Sequence, residues 1–269
     1  MLTHLKKWLP ARAPRRIGLA LSGGAALGGV HVGVLRAIAE RGIPVAMVSG
    51  TSIGAYVAAL FAFGRDWREI RDIVKEMTWM SVSSFSLSQY GLMANTKLRA
   101  SLEAALGEVC FADAELSLAV VAVDLSRNEK VVFREGPVGL AVQASTCLPG
   151  IFVPVESEGR FLVDGGILEN VPVSPLQAMG ADCIIAVELA VPVIHGRPGN
   201  IADVVVKSLN LAFQSATELQ AREAEVRIRP DLSGYSLIDT DQTPELIEVG
   251  YAAAMAAFDQ SRRLRSIGG

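Results

Sequence analysis

Residues Gly50-Thr51-Ser52-Ile53-Gly54 form a G-x-S-x-G run. Small residues on both sides of a serine permit a tight strand-to-helix turn that lifts the hydroxyl clear of the sheet, over the positive end of the following helix. That setting can stabilise an alkoxide or an oxyanion. The flanks suit it, with the apolar strand Pro44-Val-Ala-Met-Val48 before and an apolar helix through about Phe63 after. A second run, Gly23-Gly24-Ala25-Ala26-Leu27-Gly28, follows the apolar stretch Ile17–Leu21. Consecutive glycines there let several backbone N–H groups converge on one point, with a helix start behind them. Such a cradle suits a phosphate or the oxyanion of a tetrahedral intermediate. The dinucleotide fingerprint needs G-x-G-x-x-G and an acidic residue about 20 residues on. This chain offers G-G-x-x-x-G and ends its second strand in Ser49-Gly50, without a carboxylate. No Gly-Lys-Ser/Thr follows, so a P-loop fails as well. The oxyanion reading is preferred to nucleotide binding.

A seryl nucleophile needs a base. The three histidines are poor candidates. His4 is in a basic tail, His31 falls within the first helix beside Val34 and Leu35, and His195 sits in a Pro- and Gly-flanked loop. Asp164 closes the strand Arg160-Phe-Leu-Val163, and Gly165-Gly166 leave its side chain uncrowded. Taken alone, Asp-Gly-Gly is a plain turn.

The elements that must position these groups follow from periodicity. Strand 17–21, helix 29–41, strand 44–48 and helix 53–63 alternate with short connections, which predicts an α/β fold: a three-layer α/β/α arrangement with a mainly parallel central sheet. Further on, helices are expected at 66–75, 96–106 (capped by Asn95 or Thr96), 137–146, 172–179, 201–224 and 244–264. Strands are expected at 118–125 and 130–134 as a hairpin, then at 160–163, 183–189 and 226–229. Residues 77–93 mix aromatics, methionines and serines and give no assignment. Core packing is the expected role there, with an active-site cover or a dimer contact as alternatives.

The chain has 269 residues, 51% of them hydrophobic, and a net charge of −3. That balance offers no basic face for nucleic acid. Cys110, Cys147 and Cys183 fit no metal-ligand spacing, and an odd count favours a reducing, cytoplasmic compartment. All three are expected to be small core residues. The basic residues before position 17 and the uncharged stretch 17–35 resemble a signal or a membrane span, but the segment Ser22–Gly29, with four glycines and a serine, interrupts the apolar run. Residues 1–15 are therefore expected to be a basic tail and 16–269 a single domain. Leu2, Leu5, Trp8 and Leu9, interleaved with Lys6 and Lys7, suit either an interfacial helix with peripheral membrane contact or a disordered tail.

The three runs in this order resemble the patatin-like phospholipase family, in particular its compact bacterial members. The stretches Ala144-Ser-Thr-Cys-Leu-Pro-Gly-Ile-Phe-Val-Pro-Val155 and Asp164-Gly-Gly-Ile-Leu-Glu-Asn-Val-Pro-Val173 are similar to those around that family's catalytic aspartate. The likeness covers about residues 16 to 190. It implies a patatin-like fold and hydrolysis of acyl lipid esters (phospholipase A, lysophospholipase or esterase type) by a Ser52–Asp164 dyad. An oxyanion hole at Gly23, Gly24 and the N–H groups just after them is implied too, with no metal or organic cofactor. The chain departs from the family at Leu27, where a basic residue is usual. That departure keeps a second expectation open, a catalytically weak lipid-binding or regulatory protein on the same fold.

Overall fold

The computed structural model describes residues 16–189, 197–199 and 201–265. The tail 1–15 and His195 lie outside the described residues. Strand β1 (Ile17–Leu21) leads through a 3-10 turn at Ala25–Gly28 into α1 (Gly29–Glu40), and β2 (Val45–Thr51) leads into α2 (Ile53–Ala62). Helix α3 (Trp67–Lys75) starts at Asp66, whose carboxylate accepts the N–H groups of Arg68 and Glu69 while Glu69 accepts the Asp66 N–H, a closed capping box. Residues 77–93 fold into a short helix, α4 (Trp79–Val82), and a small hairpin, β3 (Ser84–Ser88) with β4 (Gly91–Ala94).

Helix α5 (Thr96–Leu106) begins after Asn95 as expected, but the Asn95 side chain does not cap it. Its amide donates instead to Gln143 O at 2.8 Å and Thr146 Oγ1 at 2.9 Å, tying the start of α5 to α6 (Val138–Ser145). Between these helices lie β5 (Ser117–Asp124) and β6 (Glu129–Phe133), the expected hairpin. The chain continues through β7 (Val155–Ser157), β8 (Arg160–Asp164), α7 (Val173–Ala178), β9 (Cys183–Val187), α8 (Ile201–Ala221), β10 (Val226–Ile228) and α9 (Thr243–Gln260). The last expected helix is broken at Ser261, whose extended backbone separates α9 from α10 (Arg262–Arg265).

The main sheet has the order β10-β9-β1-β2-β5-β8-β7, with β6 also paired to β5. Strands β10, β9, β1, β2 and β5 run parallel, and β6, β8 and β7 are antiparallel additions at one end. A strand with parallel partners on both sides and helices on both faces must be apolar throughout. All five residues of β1 are buried, and none is polar. Leu19 and Leu21 pack toward α1, α2 and α9, whereas Ala20 packs toward α7 on the opposite face, which gives the three layers.

One core assignment needs correction. Cys147 and Cys183 are buried, but Cys110 is exposed. It stands just before the 3-10 turn Phe111–Asp113, where Phe111 takes the inward position.

Candidate active site

Ser52 sits between β2 and α2 with φ 54° and ψ −128°, a backbone conformation that side chains other than glycine rarely adopt. Holding a non-glycine residue there costs on the order of 1–3 kcal/mol, which the surrounding packing must offset. The surroundings show how. A Cβ on Gly54 would run into the carbonyls of Leu21 and Ser22, so only glycine lets α2 start this close to the end of β1. From the other side, the Ser145 hydroxyl accepts the Ser52 N–H at 2.8 Å and donates to the Val121 carbonyl at 2.6 Å. Ser145 is fully buried at the end of α6. It therefore ties the elbow to the middle of β5 and uses the one backbone donor that belongs to the nucleophile itself.

Asp164 reaches the same place because β8 is antiparallel. Thr51 pairs with Val121, and the next residue of β5, Ala122, pairs with Asp164. The end of β8 therefore lies one row from the end of β2. The carboxylate is 3% exposed, and its Oδ1 accepts the Gly166 N–H at 2.8 Å. Burial pushes the Asp164 carboxyl up to about 6, against the opposing pull of its contacts with the Ser52 side chain and the Gly166 N–H.

The Gly-rich loop closes the third side. A Cβ on Gly23 would lie 2.6 Å from Asn170 Oδ1 and 3.1 Å from Ser52 Cβ, so the loop rests directly on the serine because that residue is glycine. The loop's donors divide into two groups. Gly23 N–H donates to Asn170 O at 3.3 Å, Ala26 N–H to Leu237 O at 3.1 Å and Leu27 N–H to Gly24 O at 3.0 Å. The N–H groups of Gly24 and Ala25 have no partner among the described residues, and Ala25 holds a positive φ of 49°.

Gly23, Gly24, Ala25, Ala26, Gly28, Ser52, Ile53 and Asp164 all line one cavity of about 440 Å³. Gly50, Thr51, Gly54, Gly165 and Gly166 stand behind that surface as its support. Leu27 is different again: its side chain is fully buried in the core and does not border the cavity. His31 is also fully buried. Its Nε2–H donates to Ser22 O at 2.8 Å, and burial lowers its pKa to about 4. It braces the strand end that enters the Gly-rich loop and stays neutral.

Ser145 and Asn170 carry no local sequence signal for the positions they hold. The Asn170 amide donates to Thr217 Oγ1 at 2.8 Å, and Gln220 accepts the N–H groups of Asn170 and Val171 while donating to Leu168 O. Helix α8 thereby clamps the loop after Asp164. Residues 77–93 are divided: Met77, Thr78 and Val82 line the cavity, while Tyr90 and Leu92 are exposed. Among the described residues, no group of three His, Cys, Asp or Glu side chains is arranged to hold a metal ion. No helix among the described residues is long and apolar enough to cross a membrane.

The model of the patatin-like phospholipase family matches residues 19–176, more than half of the chain. The chain belongs to the patatin-like phospholipase family. Among its relatives, an uncharacterized NTE family protein of Mycobacterium tuberculosis is 34% identical over 176 residues, which are 65% of this chain and 49% of that protein. Patatin-like phospholipase domain-containing protein 7 of Rattus norvegicus is 30% identical, over 90% of this chain and 20% of that protein. Lysophospholipase NTE1 of Pyricularia oryzae is 26% identical, over 92% of this chain and 19% of that protein. The chain thus spans half or less of the length of these relatives. The crystal structure of VipD from Legionella pneumophila superimposes with a TM-score of 0.65 at 17% identity, covering 93% of this chain and 68% of that one. It shares the fold. The patatin-like architecture expected from the three runs is the one observed.

Proposed function

We propose that this chain hydrolyses the carboxylic esters of acyl lipids, with Ser52 as nucleophile and Asp164 as general base. The observation that carries the reading is a serine on a strained elbow, facing a buried carboxyl with a raised pKa, at the floor of a largely apolar cavity. A base whose pKa is about 6 is ionised at neutral pH yet remains basic enough to take a proton in the transition state.

Asp164 accepts the Ser52 proton as Oγ attacks the acyl carbonyl carbon. The oxygen that becomes negative is received by the N–H groups of Gly24 and Ala25, the two loop donors without a partner among the described residues. Asp164 then returns the proton to the departing alkoxide, leaving the acyl group on Ser52. Water, deprotonated by the same carboxylate, attacks the acyl-enzyme; the bond from the acyl carbon to Ser52 Oγ breaks, Asp164 returns the proton to Oγ, and the fatty acid is released. Apolar side chains such as Met77, Leu148, Phe152 and Phe213 supply the wall against which an acyl chain can be buried. Ile238, which lines the cavity and is 71% exposed, marks a mouth where lipid enters. Exposed Leu92 and Leu219 support peripheral contact with a lipid surface. The relative named a lysophospholipase favours a lipid ester over a water-soluble one.

Hydrolysis of a panel of acyl esters by wild type and Ser52→Ala tests this reading. Turnover by wild type that disappears in the variant supports it. Binding of lipid without turnover in either protein would instead establish the catalytically weak lipid-binding alternative.

A further inference from the structure

We infer that Asn170 is a second acceptor, beside Asp164, for the water that attacks the acyl-enzyme, and that it serves deacylation and not acylation. The inference deepens the ester-hydrolase reading above and rests on it. Asn170 lines the cavity and is 4% exposed. Its N–H donates to Gln220 Oε1 at 2.9 Å, its Nδ2 donates to Thr217 Oγ1 at 2.8 Å, and its carbonyl accepts the Gly23 N–H at 3.3 Å. Asn170 Oδ1, in contrast, accepts no hydrogen bond among the described residues. An acceptor so nearly enclosed is satisfied by a donor that the cavity brings to it.

Two glycines show where Oδ1 points. A Cβ on Gly166 would lie 3.1 Å from Asn170 Oδ1, 3.1 Å from Asp164 Oδ1 and 3.4 Å from the Phe213 ring. A Cβ on Gly23 would meet the same Asn170 Oδ1 at 2.6 Å and Ser52 Cβ at 3.1 Å. Neither glycine has a left-handed backbone, so what each supplies is the missing Cβ. Asn170 and Asp164 thus turn two oxygens toward one small space beside Ser52, within reach of a single water at ordinary hydrogen-bond lengths. Ser52 brings one proton to acylation, and Asp164 alone can take it. Water carries two. While Asp164 takes the first, Asn170 Oδ1 holds the second and so aims the oxygen lone pair at the acyl carbon. A bond forms from the water oxygen to that carbon, the bond to Ser52 Oγ breaks, and Asp164 returns its proton to Oγ. The second hydrogen stays on the water oxygen and leaves with the carboxyl group.

The test follows a 4-nitrophenyl ester of a medium-chain fatty acid, whose first turnover reports acylation and whose later turnovers include deacylation. Asn170→Leu should keep the first-turnover burst within about threefold of the wild-type rate. Its steady rate should fall about tenfold or more, with the acyl group found on Ser52 by mass spectrometry. Methanol carries one O–H proton and does not need the second acceptor. With methanol added, the ratio of methyl ester to free fatty acid should therefore rise about tenfold in Asn170→Leu over wild type. Gly166→Ala keeps every Asn170 hydrogen bond but sets a methyl group against both oxygens. It should likewise slow the steady phase and spare the burst, and it decides the question if Asn170→Leu does not fold. Burst and steady rates that fall together in the folded variants, or a product ratio unchanged in Asn170→Leu, overturn the inference while ester hydrolysis stands. If wild type releases neither nitrophenol nor fatty acid, the hydrolase reading and this inference fall together.

Discussion

The cavity has two walls of different construction. The wall that carries Ser52, Asp164 and the Gly-rich loop is made from strand ends and glycine-mediated backbone contacts, and its polar atoms are held by buried hydrogen bonds. The facing wall comes from α8 and the segment 229–243, where Arg229 and Ile238 are exposed. On the first wall, a side chain is fixed by the register of strands in the sheet centre. On the second, it is carried by α8 and by the loop after the edge strand β10, which the Ala26 N–H holds through the Leu237 carbonyl. On the proposed reading, the first wall governs whether an ester is cleaved and the second which ester is cleaved.

That division predicts a graded series. Ser52→Ala should lower kcat by about 10⁵-fold or more for every ester, the scale seen when a seryl nucleophile is removed, and leave the melting temperature nearly unchanged. Ser52→Gly should lose as much activity yet melt higher, because glycine relieves the positive φ.

Asp164→Asn should cost about 10⁴-fold in kcat. Its effect on stability should depend on pH. The unfolded carboxyl ionises near its ordinary 3.8 and the folded one at about 6. The stability connected with Asp164 is thus intact below the lower value and is lost as pH rises to the upper one. Asparagine avoids that loss, so denaturant titration should find the variant more stable by about 2–3 kcal/mol at pH 8 and no more stable at pH 3.5. In wild type, kcat/KM should fall as pH drops through about 6, with protonation of the base.

Ser145→Ala leaves the Ser52 N–H without its acceptor in a buried position. It should destabilise by about 1–3 kcal/mol and lower kcat about tenfold to a hundredfold for long and short esters alike. Ile238→Ser, on the other wall, should raise KM for long acyl chains a few-fold, less than the roughly tenfold or more carried by a fully enclosed methylene because Ile238 is largely exposed, and leave short-chain esters unchanged. If Ile238→Ser slowed short esters as strongly as Ser145→Ala, the separation of the two walls would be wrong.

The same contrast governs what the sequence makes legible. Gly50, Ser52, Gly54 and the Gly23–Gly24 pair carry their meaning locally, since each marks a turn that only small residues permit. The parallel strands are legible because burial on both faces forces them to be apolar. Ser145 is not legible in this way: its partners Ser52 and Val121 are 93 and 24 residues away, and no local pattern announces the bond. Asn95 is a good cap by type, yet a tertiary partner in α6 takes its side chain. The stretch Ser84-Phe-Ser-Leu-Ser88 carries the period of a strand, but methionines and aromatics around it hide the boundaries of the hairpin.

The most direct test of the central claim is the rate of fluorophosphonate labelling, measured for wild type, Ser52→Ala and Asp164→Asn between pH 5 and pH 8. The dyad predicts labelling of wild type that slows below about pH 6, none for Ser52→Ala, and labelling of Asp164→Asn slower by orders of magnitude with no step near that pH. Labelling of Asp164→Asn at the wild-type rate, or of Ser52→Ala at all, would contradict the assignment of nucleophile and base.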